Sequence, residues 1–127
     1  MDLSKVLESY ADSVNGKFSS YNDDKAVVIV PVTDHRFQSV IASRCEIGDA
    51  EYIEISSKIC SVDQMPEKLF WLQKELNVGK LIVRDDFLLA TAYIDSGMDS
   101  VLIKAIINEV AQFADLKEKS LAGTDVF

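Results

Sequence analysis

The spacing of apolar and polar residues along this chain predicts a helix at each end. Apolar residues recur every three or four positions from residue 3 to residue 14, and Asn15-Gly16 follows as a stop signal. The same period runs through residues 98–116, where the apolar arc covers about half of the helix circumference. An arc this wide exceeds what packing on one small sheet requires. We therefore interpret the final helix as packing on a sheet along one edge and meeting a second molecule along the other.

Between these helices, short apolar or alternating runs predict an antiparallel sheet of about five strands. A third helix, expected to begin near Pro66 and to end at Gly79, separates the strands into a group of three and a group of two. The element order α-β-β-β-α-β-β-α predicts an α+β fold with helices packed on the sheet. The predicted strands are residues 26–30, 36–46, 51–60, 80–84 and 87–94.

Length and composition fit one globular domain over residues 1–127. Of the 127 residues, 48% are hydrophobic and 27% are charged, which is sufficient for a single core. Residues 117–127 begin with polar side chains, so we expect them to form a loose tail.

Charge narrows the range of partners. Thirteen basic and twenty-one acidic side chains give a formal net charge of −8, which repels phosphate backbones and anionic lipid surfaces at long range. The only arginines, Arg36, Arg44 and Arg84, lie outside any basic run. The sequence thus argues against nucleic acid and membrane as partners, and without a secretory signal or an apolar span the cytoplasm is the expected location.

Catalytic and metal-binding patterns are weak. His35, the only histidine, falls in a predicted turn, and Cys45 and Cys60 fall in strand patterns where thiols are usually buried, free and inert. The acidic pairs Asp23-Asp24 and Asp85-Asp86 stand between strands, where aspartate is a common turn residue. We therefore predict no catalytic residue, no metal site and no cofactor, and so a protein that is not an enzyme.

Apolar residues that exceed the needs of the core form the candidate partner or dimer surface. Phe70, Trp71 and Leu72 are consecutive, so at least one of them is expected to be partly exposed, and Trp71 is a candidate hot spot. The final helix, the first helix and the outward face of the third predicted strand supply the remaining candidates. The full set is Trp71, Ile103, Ile107, Val110, Leu3, Val6, Tyr10 and Tyr52.

Polar residues leave two further questions open. Glu109 projects into the apolar arc of the final helix, where it can pair with Lys117, with a strand arginine or with a partner chain, or extend to water. Arg36 and Glu54 form a candidate polar site. With Tyr52, they suggest an alternative function as a small-ligand sensor or small enzyme, with a pocket between the sheet and the final helix.

Two segments match the pattern of a known family. The matching residues are Arg36-Phe37-Gln38-Ser39-Val40, Glu109-Val110-Ala111, Ala114-Asp115, Glu118, Leu121 and Asp125. With these residues, and in element order, size and acidity, the chain resembles the class I type III secretion chaperones, and more closely the YbjN-like family that shares their fold. The resemblance covers nearly the whole chain, with one departure: Asn15-Gly16-Lys17-Phe18 replaces the Gly-Leu-rich segment that secretion chaperones carry after the first helix. It implies a homodimer or an adaptor that binds protein segments, with no cofactor and no established catalytic residue.

The sequence therefore predicts a cytoplasmic, non-enzymatic protein-binding module, chaperone-like or a regulatory adaptor. Its expected partners are a second copy of itself and another protein or peptide segment.

Overall fold

The chain folds around one six-stranded antiparallel sheet with the strand order β1-β2-β3-β4-β6-β5. The computed structural model describes residues 3–67, 69–95 and 97–121, apart from the side chain of Leu3, a predicted surface residue that lies outside this description. In chain order the elements are α1 (Leu3–Val14), β1 (Lys17–Asn22), β2 (Lys25–Pro31), β3 (Phe37–Ile47), β4 (Ala50–Ser61), α2 (Leu69–Gln73), β5 (Lys80–Arg84), β6 (Phe87–Ile94) and α3 (Ser100–Leu121).

The predicted α+β class is confirmed, with one more strand than expected. The additional strand, β1, is mostly polar, and it forms because it pairs with the apolar strand β2 as a hairpin. Helix α2 is shorter than predicted, whereas α3 continues through residues 117–121, which were expected to belong to the tail. Residues 122–127, the remainder of that predicted tail, lie outside the described residues.

A tight connection between α1 and β1 starts the sheet. Asn15 has a left-handed backbone (φ 59°), and the amide of Gly16 donates to the carbonyl of Ala11, which closes the helix. A Cβ at Gly16 would lie 2.5 Å from the carbonyl oxygen of Ile29 in β2. Glycine is required here because the backbones of the two segments approach so closely.

Alternation along the strands gives the sheet a helix-covered face and an open face. In β4, Ile53, Ile55 and Ile59 are buried beneath the helices, while Tyr52 and Glu54 point the other way, as predicted. Helix α1 packs on β1 and β2, and α3 packs across β3, β4 and β6. The core therefore lies between the sheet and these two helices, and no helix of the described residues covers the open face.

The orientation of α3 corrects part of the predicted partner surface. Ile103, Ile107 and Val110 are buried against the sheet of their own chain, and Tyr10 of α1 is buried in the same core. The outward side of α3 carries Leu102 instead, which is 43% exposed. The prediction of a partner surface at these four positions is wrong because all four side chains are buried in the core between the sheet and the helices of their own chain.

Candidate protein-binding surface

Helix α2 holds two large aromatic side chains in solvent. Phe70 is 64% exposed and Trp71 is 59% exposed, whereas Leu69 and Leu72 pack against the core. A single helix turn cannot direct four consecutive large apolar residues to one side, because neighbours are separated by about 100°. The predicted exposure within this run is therefore confirmed, and it includes Phe70 as well as Trp71.

The two rings form an ordered pair. Their centroids are 5.6 Å apart with an interplanar angle of 67°, an edge-to-face arrangement. The ammonium group of Lys74 lies 4.8 Å from the centroid of each ring, within the range of cation–π attraction. We call Phe70, Trp71 and Lys74 the aromatic platform.

Gln73 attaches the platform to the edge of the sheet. Its Oε1 accepts a 2.8 Å hydrogen bond from the amide of Leu81 in β5, and its Nε2 donates a 3.1 Å bond to the carbonyl of Gly79. The side-chain amide thus occupies part of the outer edge of β5, where another strand would otherwise pair. No periodicity in the sequence distinguished Gln73 from an ordinary surface glutamine.

Glu109 attaches the same region to α3. Its carboxylate accepts hydrogen bonds from the backbone amides of Asn77 and Val78, the latter at 3.2 Å, in the loop between α2 and β5. The sequence left open that Glu109 pairs with Lys117 or with a strand arginine. In the structure Glu109 makes neither pair, and its carboxylate contacts the two loop amides instead. Lys117 instead forms a 2.8 Å ion pair with Glu75. Gln73 therefore ties α2 to β5, and Glu109 ties the loop after α2 to α3.

The remaining predicted surface residues lie elsewhere. Val6 is half-buried and packs against the core from α1. Tyr52 is half-exposed on the open face of the sheet, opposite Cys45 of β3. Among the predicted surface residues whose side chains the structure describes, Trp71 alone is strongly exposed on the side of the sheet that carries the helices.

The candidate polar site is not a single site. Arg36 immediately precedes β3 and contacts Asp115 of α3, whereas Glu54 lies on the open face and pairs with Arg84. Core side chains from both layers fill the space between the sheet and α3 in the described residues. The alternative of a pocket at that position, lined by Tyr52, Arg36 and Glu54, is wrong because the sheet separates Arg36 from the other two.

On the open face, Glu54 instead joins a cluster that spans three strands. Arg84 of β5 reaches past β6 and donates hydrogen bonds of 2.6 and 3.0 Å to the two carboxylate oxygens of Glu54 in β4. The hydroxyl of Tyr93 in β6 donates to the same carboxylate at 3.2 Å. The Arg84 hydrogen bonds are the main reason that the pKa of Glu54 is lowered, against the opposing effect of burial. Sequence analysis missed this cluster because its members come from strands distant in the chain.

The residues weighed for catalysis occupy structural positions. His35 is exposed in a 3₁₀ turn, and Asp85 and Asp86 form the β5–β6 turn with left-handed backbones. Cys60 is buried and Cys45 is half-buried, and in both cases burial is the main cause of a raised thiol pKa. A raised pKa reduces the thiolate fraction and hence the nucleophilicity of a cysteine.

Comparison with known proteins places the fold. No family model matches the chain, and no curated protein matches it. A chain in the crystal structure of the ExsC–ExsE complex superposes with a TM-score of 0.52 at 11% sequence identity, covering 95% of this chain and 97% of the other. The chain has the type III secretion chaperone-like fold. At this identity the likeness concerns the fold alone. Within residues 3–67, 69–95 and 97–121, no helix has the length and apolar character that a membrane crossing needs.

Proposed function

We propose that this protein is a non-enzymatic protein-binding module, chaperone-like or a regulatory adaptor, that works as a homodimer in the cytoplasm and belongs among the YbjN-like proteins. The aromatic platform is the observation that carries the proposal. The chain shares its fold with a chain of the ExsC–ExsE complex, and this likeness to a protein found in a complex supports a role in binding protein. The residues that resemble the YbjN-like pattern support the narrower family.

The platform has the physical character of an interface hot spot. Tryptophan is enriched among the residues that dominate binding energy, because a large rigid ring buries much apolar area at a small cost in side-chain entropy. Here both rings are exposed although Gln73 and Glu109 hold the surrounding backbone to the sheet and to α3. A partner that covers Phe70 and Trp71 gains their burial without having to order the segment that carries them.

A second copy of the chain is the proposed occupant of the platform. A twofold dimer brings one patch against its own counterpart, and an edge-to-face aromatic pair can pack against another such pair. Each chain carries a net charge of −8, so two copies repel each other at long range. Apolar contact must overcome this repulsion, and added salt should therefore strengthen the dimer by screening it.

Light scattering coupled to size-exclusion chromatography tests the proposal directly. We expect wild-type protein to run as a dimer at micromolar concentration, and the double variant Phe70→Ala/Trp71→Ala to run as a folded monomer. Tyr21→Ala is the matched control, because Tyr21 is a comparably exposed aromatic residue (69%) on the β1–β2 hairpin. A monomeric wild type at every concentration and salt level, or a double variant as dimeric as wild type, would overturn the proposed dimer.

A further inference from the structure

A shallow bowl lies on the open face of the sheet, away from the aromatic platform. It has a volume of about 430 Å³, which falls in the usual range for ligand pockets. Strands β2, β3, β4 and β6 form its floor, and Arg84 and Asp85 at the β5–β6 turn and Tyr21 near the β1–β2 turn contribute to its wall. Its lining residues are Tyr21, Lys25, Val27, Ser39, Ile41, Ser43, Glu54, Ser56, Ser57, Lys58, Arg84, Asp85 and Leu89.

Charge on the open face is opposite to that of the whole chain. Strand register places five basic side chains on this face but only one acidic side chain, Glu54. The face thus carries five of the thirteen basic residues of the complete sequence but only one of its twenty-one acidic residues. Because Arg84 neutralises Glu54 through two hydrogen bonds, the remaining strand charges on the face are all positive. Asp85, in the β5–β6 turn, contributes one negative charge at the wall of the bowl. The five basic residues are Lys17, Lys25, Lys58, Lys80 and Arg84.

Hydrogen-bond donors and apolar groups alternate within the bowl. Val27, Ile41 and Leu89 form apolar parts of its lining, and the hydroxyls of three serines lie between them. Within the described residues these hydroxyls make no hydrogen bond to another protein group, unlike Ser57, whose hydroxyl donates to the carbonyl of Ser39. The three serines are Ser39, Ser43 and Ser56. A ligand with carboxylate oxygens next to small apolar groups would satisfy this pattern.

We propose that this bowl binds a short, extended segment of a partner protein that carries acidic side chains. The carboxylates would lie near Lys25 and Lys58 and accept hydrogen bonds from the serine hydroxyls, while intervening small apolar side chains contact Val27 and Ile41. This inference rests on the proposed protein-binding function but uses a different surface from Phe70 and Trp71.

Two observations favour polypeptide over nucleic acid in the bowl. The rings of Phe87 and Tyr93 on this face are already covered by lysines, with the ammonium groups of Lys58 and Lys80 at 4.0 and 5.0 Å from the respective centroids. Those rings are thus unable to serve as open platforms for base stacking. The net charge of −8 also repels a long polyanion, whereas a short segment with a few carboxylates experiences mainly the local positive field.

Fluorescence anisotropy with a labelled ten-residue peptide of alternating Glu and Val tests the proposal, with an alternating Lys and Val peptide as the probe control. We expect only the acidic peptide to bind, and we expect its affinity to fall with added salt. The variant Lys25→Glu/Lys58→Glu should weaken binding at least tenfold. Lys104→Glu makes the same kind of charge change on α3, behind the sheet, and should alter binding by less than twofold. Circular dichroism establishes that each variant is folded.

The proposal is overturned if the acidic peptide does not bind at low salt, or if the double lysine variant binds it as well as wild type does. It is also overturned if a ten-nucleotide single-stranded DNA binds as tightly and responds to the same variants. Failure of the dimer proposal can be distinguished from failure of the peptide-binding proposal, because Phe70→Ala/Trp71→Ala should abolish the dimer and leave peptide binding unchanged. The salt responses also differ in sign: screening strengthens the proposed dimer and weakens peptide binding.

Discussion

The Nε–H of Arg36 donates a 2.8 Å hydrogen bond to Oδ1 of Asp115, which joins the start of β3 to the last turns of α3 across 79 residues of sequence. Glu118 lies on the same guanidinium at 3.5 Å. The side chains are 15%, 3% and 0% exposed for Arg36, Asp115 and Glu118. Two carboxylates are therefore buried around one arginine. These three residues belong to the two segments on which the proposed YbjN-like relationship rests.

Removing Arg36 should strongly destabilise the fold, because it leaves two buried carboxylates near each other without their cation. We expect Arg36→Met to lower the free energy of unfolding by about 3 kcal/mol. Lys119→Met is the matched control, since it breaks the exposed Lys119–Asp34 pair on a neighbouring turn of α3 and should change stability by less than about 1 kcal/mol. Urea denaturation at pH 7 measures both. Equal effects of the two variants would show that Arg36 is not needed to compensate the charges of the two buried carboxylates.

Substitutions on opposite sides of α3 distinguish the core from the surface. Ile107 is fully buried whereas Leu102 is 43% exposed. Ile107→Asp places an unpaired carboxylate in the core and should prevent folding or cost several kcal/mol, while Leu102→Asp should remain folded with a change within about 1 kcal/mol. Circular dichroism and thermal denaturation test this. A folded monomer from Ile107→Asp would restore the surface role that the sequence suggested for this position.

Acid should remove the contribution of the Glu54–Arg84 pair. The pKa of Glu54 is lowered in the folded protein, chiefly by hydrogen bonds from Arg84, so the folded state binds fewer protons than the unfolded state over the titration range. The stabilisation is complete above the pKa of an unfolded glutamate, about 4.3, and is lost as the pH falls through the lower folded value. The stability difference between wild type and Glu54→Gln should therefore be present at pH 7 and shrink towards pH 3. A difference in urea unfolding that stays constant over this interval would contradict the role of Arg84 in lowering the pKa of Glu54.

Loss of the Glu109 contact should loosen the loop that follows α2. Glu109→Ala leaves the amides of Asn77 and Val78 without their carboxylate acceptor, and we expect a loss of about 1 kcal/mol in stability. Hydrogen exchange at residues 77 and 78 should accelerate about tenfold, and the proposed dimer should weaken because its platform is less ordered. Glu8→Ala, on the exposed side of α1, is the matched control. Unchanged exchange at residues 77 and 78 would show that the loop is held by other contacts.

The elements that the sequence predicts well are those with strong local signals. Alternation in β4 separates Ile53 and Ile55 from Glu54 because the side-chain period of a strand is two residues. The β5–β6 hairpin was predicted with its observed bounds, since Asp85 and Asp86 occupy backbone conformations that aspartate tolerates better than most residues. Strand β1 was missed because its polar sequence becomes a strand only by pairing with β2.

The candidate surface depended more heavily on tertiary structure. The sequence by itself determined the α+β class, the wide apolar arc of α3 and the need to expose part of the Phe70–Leu72 run, because each follows from local periodicity. Only the tertiary structure decided that Ile107 faces the core, that Glu109 caps the loop after α2, and that five basic side chains from four strands share one open face. Such arrangements depend on strand order and helix packing, which bring together residues that are distant in sequence and carry no local signal of their contact.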